Sequence, residues 1–245
     1  MTNEFAVSEE VLKAVEGSTL FYPCSGPDFI VPLELFAPFV SEFWFVDTGY
    51  FGTSKSANHT NPVFQKGSDY ELIEKTVVGP PTFRKEMRTD QNTGKQIPFI
   101  EPCVLTETYR HRPTGKSIKV HRRRGYGKSA FDKEISSLGV FFYRGDSSSE
   151  GGSGSLWLWR KQLKEVLSKL ITGGLIVTDG SQHNPCADSE YRELWKLHGE
   201  NSKVPSEAVD QVEAFIDKDG LSFSCVGYAG FRYGPTLIWQ VQRPT

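Results

Sequence analysis

Residues 19–47 read TLFYPCSGPDFIVPLELFAPFVSEFWFVD, and their pattern decides the fold. The apolar run at 19–22 is stopped by a turn rich in Pro and Gly, which predicts a buried strand entering a tight loop. A helix is predicted to begin near Pro32, because proline is favoured in the first turn of a helix. A second apolar run at 43–46 leads directly into Asp47. Strand, helix and strand together predict a right-handed βαβ unit.

Short apolar runs and helical patterns alternate through the rest of the chain. Residues 139–143 and 175–178 are the clearest further strands, and apolar residues recur at helical spacing between 156 and 170. The apolar runs at 223–228 and 236–241 are joined by a turn short enough for an antiparallel pair. We therefore expect a single α/β domain over the whole chain, with a three-layer, Rossmann-like open sheet that is mostly parallel and ends in a C-terminal antiparallel hairpin.

Other segments have weaker patterns. Residues 68–75 are predicted to be a helix, residues 76–78 a strand, and residues 84–98 a loop. The two glycines at 173–174 are predicted to end the long helix, since glycine favours helix C-termini. The remaining predicted helices are residues 8–16, 131–138, 189–197 and 206–215.

A basic β-hairpin is predicted as an insertion, with strands on either side of the turn at 112–115. Residues 109–128 contain eight Lys or Arg and no Asp or Glu. Such a run can contact nucleic acid, with Tyr109 and Tyr126 available for stacking on bases. The strand-like alternation of residues in this run equally fits a hairpin whose charged side chains face solvent. The candidate nucleic-acid contacts are Arg110, Arg112, Lys119, Arg122, Arg123 and Arg124.

Charge, cysteine spacing and the distribution of apolar residues argue against several classes of protein. The formal net charge of −2 gives no global field for nucleic acid or anionic membranes. The four cysteines lie far apart in sequence, which favours neither a zinc site nor a disulfide framework. Four glutamates occupy residues 1–18, where a signal peptide would be basic and then apolar. No apolar run approaches the roughly 20 residues of a membrane span. We expect a cytoplasmic protein with no metal and no membrane partner.

Four of the predicted strands end in polar or Gly-containing turns. These turns follow residue 22, begin at Asp47, and cover residues 144–146 and 178–181. In an open α/β sheet, ligands bind outside the carboxyl ends of the strands. The turns are therefore expected to meet at one rim of the sheet.

The alternation of strands and helices, closed by an antiparallel hairpin, resembles the class I S-adenosylmethionine-dependent methyltransferase fold over residues 18–242. In that family a Gly-rich loop after the first strand approaches the cofactor, and an acid ending the second strand binds the ribose hydroxyls. The loop here departs from that pattern, since it has Tyr22-Pro23 and the single Gly26 in place of an acid and several glycines. The resemblance implies that S-adenosylmethionine is the cofactor. The implied cofactor-binding residues are Tyr22, Pro23, Cys24, Ser25, Gly26, Asp28 and Asp47.

Each of these residues also has a plain structural interpretation. The loop after residue 22 fits a tight strand-to-helix turn without a ligand, and a carboxylate such as Asp47 can cap the turn that follows it. Asp28 is the candidate replacement for the acid that the loop lacks.

The loop at 144–153 is the second candidate site. It combines both charge signs with three glycines, which exceeds what capping the next helix requires. Asp146 and Glu150 are the candidate catalytic bases. The alternative is a solvated loop that caps the helix, and the Asp-Gly at 179–180 equally fits a simple turn. The candidate substrate-binding residues are Arg144, Ser147, Asp179, Ser181 and His183.

Three functions remain open from the sequence. The first is a methyltransferase-like protein that binds S-adenosylmethionine or a related adenosyl ligand, with an unknown acceptor. The second is a non-catalytic binding or regulatory module with a degenerate cofactor loop. The third is a nucleic-acid-binding protein that uses the basic hairpin.

Overall fold

The protein is an α/β structure with one large mixed sheet. The computed structural model describes residues 5–50, 64, 68–80, 85–89, 96–146, 155–182, 190–200 and 204–244. In these ranges eleven strands form the large sheet and two more form a separate hairpin. The expected α/β class is therefore confirmed, with a mostly parallel core and antiparallel edges.

The elements are as follows. The strands are β1 (Phe5–Val7), β2 (Thr19–Tyr22), β3 (Glu42–Asp47), β4 (Tyr70–Val78), β5 (Lys85–Thr89), β6 (Gln96–Ile100), β7 (Cys103–His111), β8 (Ser117–Arg124), β9 (Leu138–Tyr143), β10 (Leu170–Thr178), β11 (Phe215–Ile216), β12 (Ser222–Phe231) and β13 (Pro235–Gln242). The helices are α1 (Glu9–Lys13), α2 (Ile30–Phe36), α3 (Gly127–Glu134), α4 (Arg160–Lys169) and α5 (Pro205–Ala208).

The order of the strands places the parallel core in the middle of the sheet. The order is β1-β12-β13-β10-β9-β2-β3-β8-β7-β4, with β11 paired to β12. The five strands β10, β9, β2, β3 and β8 are mutually parallel. On one side β13 runs antiparallel to β10, and on the other β7 runs antiparallel to β8. The carboxyl ends of the five parallel strands thus share one rim.

Helices cover both faces of this sheet, which explains why its central strands are continuously apolar. Alternate residues of β2 point to opposite sides, so that Leu20 and Phe21 belong to different cores. Helices α3 and α4 pack on the face of Phe21, where Trp157 meets the Phe21 ring edge-on with centroids 5.9 Å apart. Helices α1 and α2 pack on the face of Leu20. The βαβ unit predicted at residues 19–47 is confirmed.

Several weaker predictions are wrong. The helix predicted at 68–75 is wrong, because residues 70–78 form strand β4 against β7, whereas the strand predicted at 76–78 is confirmed as part of β4. Residues 85–89 and 96–100 form a hairpin, where a loop was expected. The glycines at 173–174 lie inside β10, where the pairing with β9 is irregular, and do not end α4. The helices predicted at 189–197 and 206–215 are reduced to two 3-10 turns and α5. The first strand, β1, had no sequence signal.

The basic hairpin of β7 and β8 exists, but it is not an insertion beside the sheet. Strand β8 lies next to β3 and belongs to the parallel core. It is therefore covered on both faces at its carboxyl end. In the described part of the chain, no helix is long and apolar enough to cross a membrane.

Candidate functional site

A cavity of about 390 Å³ opens at the carboxyl ends of β2, β3 and β9. This volume falls within the range of roughly 300–1,000 Å³ that is typical of ligand pockets. Four segments that are distant in sequence form its wall: the loop after β2, the end of β3, the end of β9 and the turn between β12 and β13. The lining residues are Tyr22, Cys24, Ser25, Gly26, Pro27, Asp28, Asp47, Thr48, Gly49, Arg144, Gly145, Asp146, Arg232 and Tyr233.

The loop after β2 is held against the end of β3. Gly26 has a φ of +51°, a conformation that glycine adopts without strain. Its N–H donates to Asp47 Oδ2 at 3.0 Å, and the Tyr50 hydroxyl donates to its carbonyl at 2.9 Å. The Ser25 N–H donates to the Val46 carbonyl at 3.1 Å. The loop is therefore fixed in shape by the neighbouring strand.

Asp47 is the acid at the centre of these contacts. Its Oδ1 accepts from the Gly49 N–H at 2.7 Å, in addition to the Gly26 bond at Oδ2. Desolvation raises the pKa of Asp47, and the two backbone hydrogen bonds partly oppose that shift. A carboxylate offers about four lone-pair sites, so these two bonds leave it able to accept from a ligand hydroxyl. Capping and ligand binding are thus compatible at this residue.

Asp28 and Arg144 form a buried ion pair that links the loop after β2 to the end of β9. Arg144 Nε and Nη2 donate to the two Asp28 oxygens at 2.7 and 2.8 Å. Arg144 Nη1 donates to the Ala229 carbonyl at 2.8 Å. The Tyr22 hydroxyl lies 2.8 Å from the Arg144 carbonyl and 3.0 Å from Asp28 Oδ2. The Arg144 guanidinium, predicted to bind substrate, is therefore engaged within the protein.

Asp146 and Cys24 lie next to each other in the cavity wall. The Tyr143 hydroxyl donates to Asp146 Oδ2 at 3.0 Å. The pKa of the Cys24 thiol is raised well above its ordinary value, first by desolvation and then by the charges of Asp146 and Asp47. Cys24 therefore stays protonated at neutral pH, and the thiolate needed for nucleophilic attack is disfavoured.

Asp179 lies behind the cavity wall and accepts hydrogen bonds from three segments of the rim. Its Oδ1 accepts from the Ser181 N–H and hydroxyl at 3.0 and 2.5 Å. Its Oδ2 accepts from the Gly145 N–H at 3.0 Å and the Tyr233 N–H at 3.2 Å. One carboxylate thus joins the ends of β9 and β10 to the turn after β12. Asp179 and Ser181, predicted to contact substrate, hold the rim in place and do not line the cavity.

Arg232 and Tyr233 line the cavity, although sequence reasoning assigned them only to a connecting turn. The directions of β10, β12 and β13 could have placed this turn at the site. Because β12 is antiparallel to β13 and β13 is antiparallel to β10, the carboxyl end of β12 lies on the same rim as those of the parallel strands. Three other candidates, Ser147, Glu150 and His183, lie outside the described residues.

The basic hairpin does not present a continuous charged face to solvent. Arg122, Arg123 and Arg124 are buried because β8 lies inside the sheet. Arg122 donates to Glu107 at 2.9 Å, and Arg124 donates to the carbonyls of Glu101 and Pro80. The solvent-facing role expected for these three arginines is therefore wrong. The exposed candidates are Arg110, Arg112 and Lys119.

A larger recess of about 490 Å³ lies between α4 and the C-terminal segment. Lys164 and Asp219 line it and pair with each other across 2.5 Å. It is away from the carboxyl rim and contains none of the residues that the sequence singled out. The cavity at the rim is therefore the better candidate for a functional site.

Comparison with known proteins adds no family. The chain matches no protein-family model, no curated protein and no solved structure. Among the described residues, no group of three His, Cys, Asp or Glu side chains is placed to hold a metal ion. The functional interpretation therefore depends on the geometry of the cavity.

Proposed function

We propose that this chain is a methyltransferase-like protein that binds S-adenosylmethionine, or a related adenosyl ligand, in the cavity at the carboxyl rim. One observation carries the proposal. Six of the seven residues that the resemblance assigned to an adenosyl ligand line a single cavity of suitable volume, namely Tyr22, Cys24, Ser25, Gly26, Asp28 and Asp47, whereas Pro23 packs against Gly127 and does not line it.

The order of the parallel strands supports a Rossmann-like sheet. Numbered one to five along the chain, β2, β3, β8, β9 and β10 have the spatial order 3-2-1-4-5. This is the order of the classic doubly wound sheet, in which the ligand lies where the order reverses. The reversal falls between β2 and β9, and the cavity opens there. The antiparallel β13 beside β10 agrees with the hairpin that the methyltransferase resemblance implies.

The charges of the site suit an adenosyl sulfonium ligand. Asp47 is positioned to accept from the ribose hydroxyls. Asp146 adds a second carboxylate to the wall, and a cationic sulfonium is stabilised by acids in a partly desolvated site. In methyl transfer the carbon–sulfur bond breaks as the acceptor attacks the methyl group in line. Positioning accounts for most of the catalysis, and Asp146 is the candidate to take a proton from the acceptor.

A non-catalytic binding module is the second candidate. The saturated pair of Asp28 and Arg144 favours it, since these two side chains have no remaining charge to offer a substrate. The single glycine of the loop agrees with this alternative. Ligand binding without methyl transfer from labelled S-adenosylmethionine would support the module over the enzyme.

The proposal is tested by thermal unfolding with and without S-adenosylmethionine or S-adenosylhomocysteine. Ligand at 100 times its dissociation constant should add about 2.7 kcal/mol. For a domain of this size, that corresponds to a rise in Tm of about 5–11 °C. Asp47→Ala should abolish the rise, whereas Asp219→Ala, which changes an exposed acid beside the other recess, should keep it. No rise for the unchanged protein at millimolar ligand would refute the adenosyl site.

A further inference from the structure

The two arginines of the cavity differ in what they contact. The Arg144 guanidinium is held by Asp28 and by the Ala229 carbonyl. The Arg232 side chain lines the same cavity, is exposed, and forms neither an ion pair nor a side-chain hydrogen bond with the described residues. Of the two arginines, Arg232 is therefore the one whose guanidinium has no acceptor among the described residues.

Arg232 is packed against the wall and does not extend freely into solvent. Its side chain lies over Gly145, which has a φ of +69°. A Cβ atom at Gly145 would lie 2.9 Å from Arg232 Nε and 3.0 Å from Arg232 Cγ, so a larger residue there would displace the arginine. The glycine after β9 thus creates the space in which this arginine lies.

The turn that carries Arg232 is also fixed. The Tyr233 N–H donates to Asp179, and the Gly199 N–H donates to the Tyr233 carbonyl at 2.8 Å. The Arg232 N–H donates to the Gly234 carbonyl at 3.1 Å. A charged group on a fixed turn loses less conformational entropy when it binds a ligand.

Asp47 and Arg232 lie at opposite ends of the cavity. Asp47 ends β3, whereas Arg232 covers Gly145 just after β9, and β2 separates these two strands. Neighbouring strands are about 4.8 Å apart, so the ends of β3 and β9 are roughly 10 Å from each other. The cavity thus offers a hydrogen-bond acceptor at Asp47 and, at Arg232, a guanidinium that no other described side chain pairs with.

We propose that Arg232 binds the carboxylate of an α-amino-acid arm carried by the adenosyl ligand. This inference rests on the function proposed above and assigns a specific part of the ligand to each end of the cavity. The ribose hydroxyls lie at Asp47 and the carboxylate lies at Arg232, because a guanidinium binds a carboxylate with two parallel hydrogen bonds. The site therefore selects adenosyl compounds with the complete amino-acid arm over truncated ones.

The test compares two probes in isothermal titration calorimetry of the full chain. S-adenosylhomocysteine has the carboxylate, and 5′-methylthioadenosine has the same adenosyl thioether without the amino-acid arm. The unchanged protein should bind S-adenosylhomocysteine more tightly. Arg232→Ala should weaken that binding about tenfold and leave the affinity for 5′-methylthioadenosine unchanged, because a charge-assisted bond is lost only with the first probe. Arg232→Lys should have an intermediate effect, and Arg112→Ala, in the exposed turn at the opposite rim, should have none.

The other outcomes separate this inference from the function on which it rests. Equal affinity of the unchanged protein for both probes would overturn the role of Arg232 while leaving the adenosyl site intact. The same conclusion would follow if Arg232→Ala weakened both probes equally, since the arginine would then only shape the cavity. Binding of neither probe by the unchanged protein would instead refute the proposed function itself.

Discussion

Replacing Asp28 by Asn should destabilise the protein strongly, because the buried charge of Arg144 would lose its partner. Arg144 is only 4% exposed, and its other side-chain acceptors among the described residues are the Ala229 carbonyl at 2.8 Å and Thr236 Oγ1 at 3.5 Å. Burial disfavours the charged guanidinium, but the hydrogen bonds and charge of Asp28 more than offset this and raise the pKa of Arg144. The charge will therefore remain when Asp28 is removed.

The expected loss can be estimated from this geometry. Removing one member of a buried pair costs about 3–5 kcal/mol, and Asn keeps one acceptor, so a loss of about 3 kcal/mol is expected. That corresponds to a fall in Tm of about 6–12 °C. Replacing both residues, with Arg144→Met added to Asp28→Asn, should recover most of the loss, since no charge is then left unpaired.

Urea denaturation of Asp28→Asn and of the double variant measures these differences, provided that the dependence of the unfolding free energy on urea concentration is unchanged. Asp219→Asn is the matched control, because its partner Lys164 and the acid itself are both exposed. It should leave the stability unchanged. A loss below about 0.5 kcal/mol for Asp28→Asn, the usual scatter of neutral surface substitutions, would refute the reasoning, as would a double variant no more stable than the single one.

Two further predictions concern residues outside the cavity. The hydrogen bond with His121 is the main cause that lowers the pKa of Glu42 from 4.5. The ionised Glu42 therefore stabilises the folded protein above pH 4.5, and this stabilisation is lost as the pH falls through the folded-state pKa. The stability difference between the unchanged protein and Glu42→Gln, measured with urea, should therefore shrink from about pH 6 to about pH 3, and a constant difference would contradict this. Gly139→Ala should cost about 1–3 kcal/mol, because its Cβ would lie 2.5 Å from Ser18 Cβ. Unchanged stability in differential scanning calorimetry would contradict this prediction, because the backbone at Ser18 would then move to accept the methyl group at no cost in free energy.

The sequence predicted the part of the site that local patterns encode. The run at 19–22 is a buried strand with the predicted limits, since its apolar residues are bounded by Ser18 and Pro23. Asp47 follows an equally clear strand. Because parallel strands end at one rim, these two signals were sufficient to place the loop and the acid in one cavity.

The sequence could not predict which charges would be neutralised inside the protein. The string of arginines in β8 looks like a solvated surface, yet Arg122 is paired with Glu107 on β7, and Arg124 with the backbone carbonyls of Pro80 and Glu101. The pairing of Arg144 with Asp28 joins residues that are far apart in the chain. Such contacts depend on the tertiary arrangement, and no local periodicity reports them.

The pairing of β2 with β9 has a consequence for how the protein opens. These strands are joined by the register of Leu20 with Val140 and Phe21 with Phe141, which is the shortest pairing in the parallel core. On either side of it lie two units built from neighbouring segments of chain, β2-α2-β3 and β9-α4-β10. Partial unfolding follows boundaries between such units, and this boundary runs beneath the cavity. A ligand that contacts both units should therefore slow amide hydrogen exchange along β2 and β9 more than in the outer strands, because it would have to dissociate before the two units could separate.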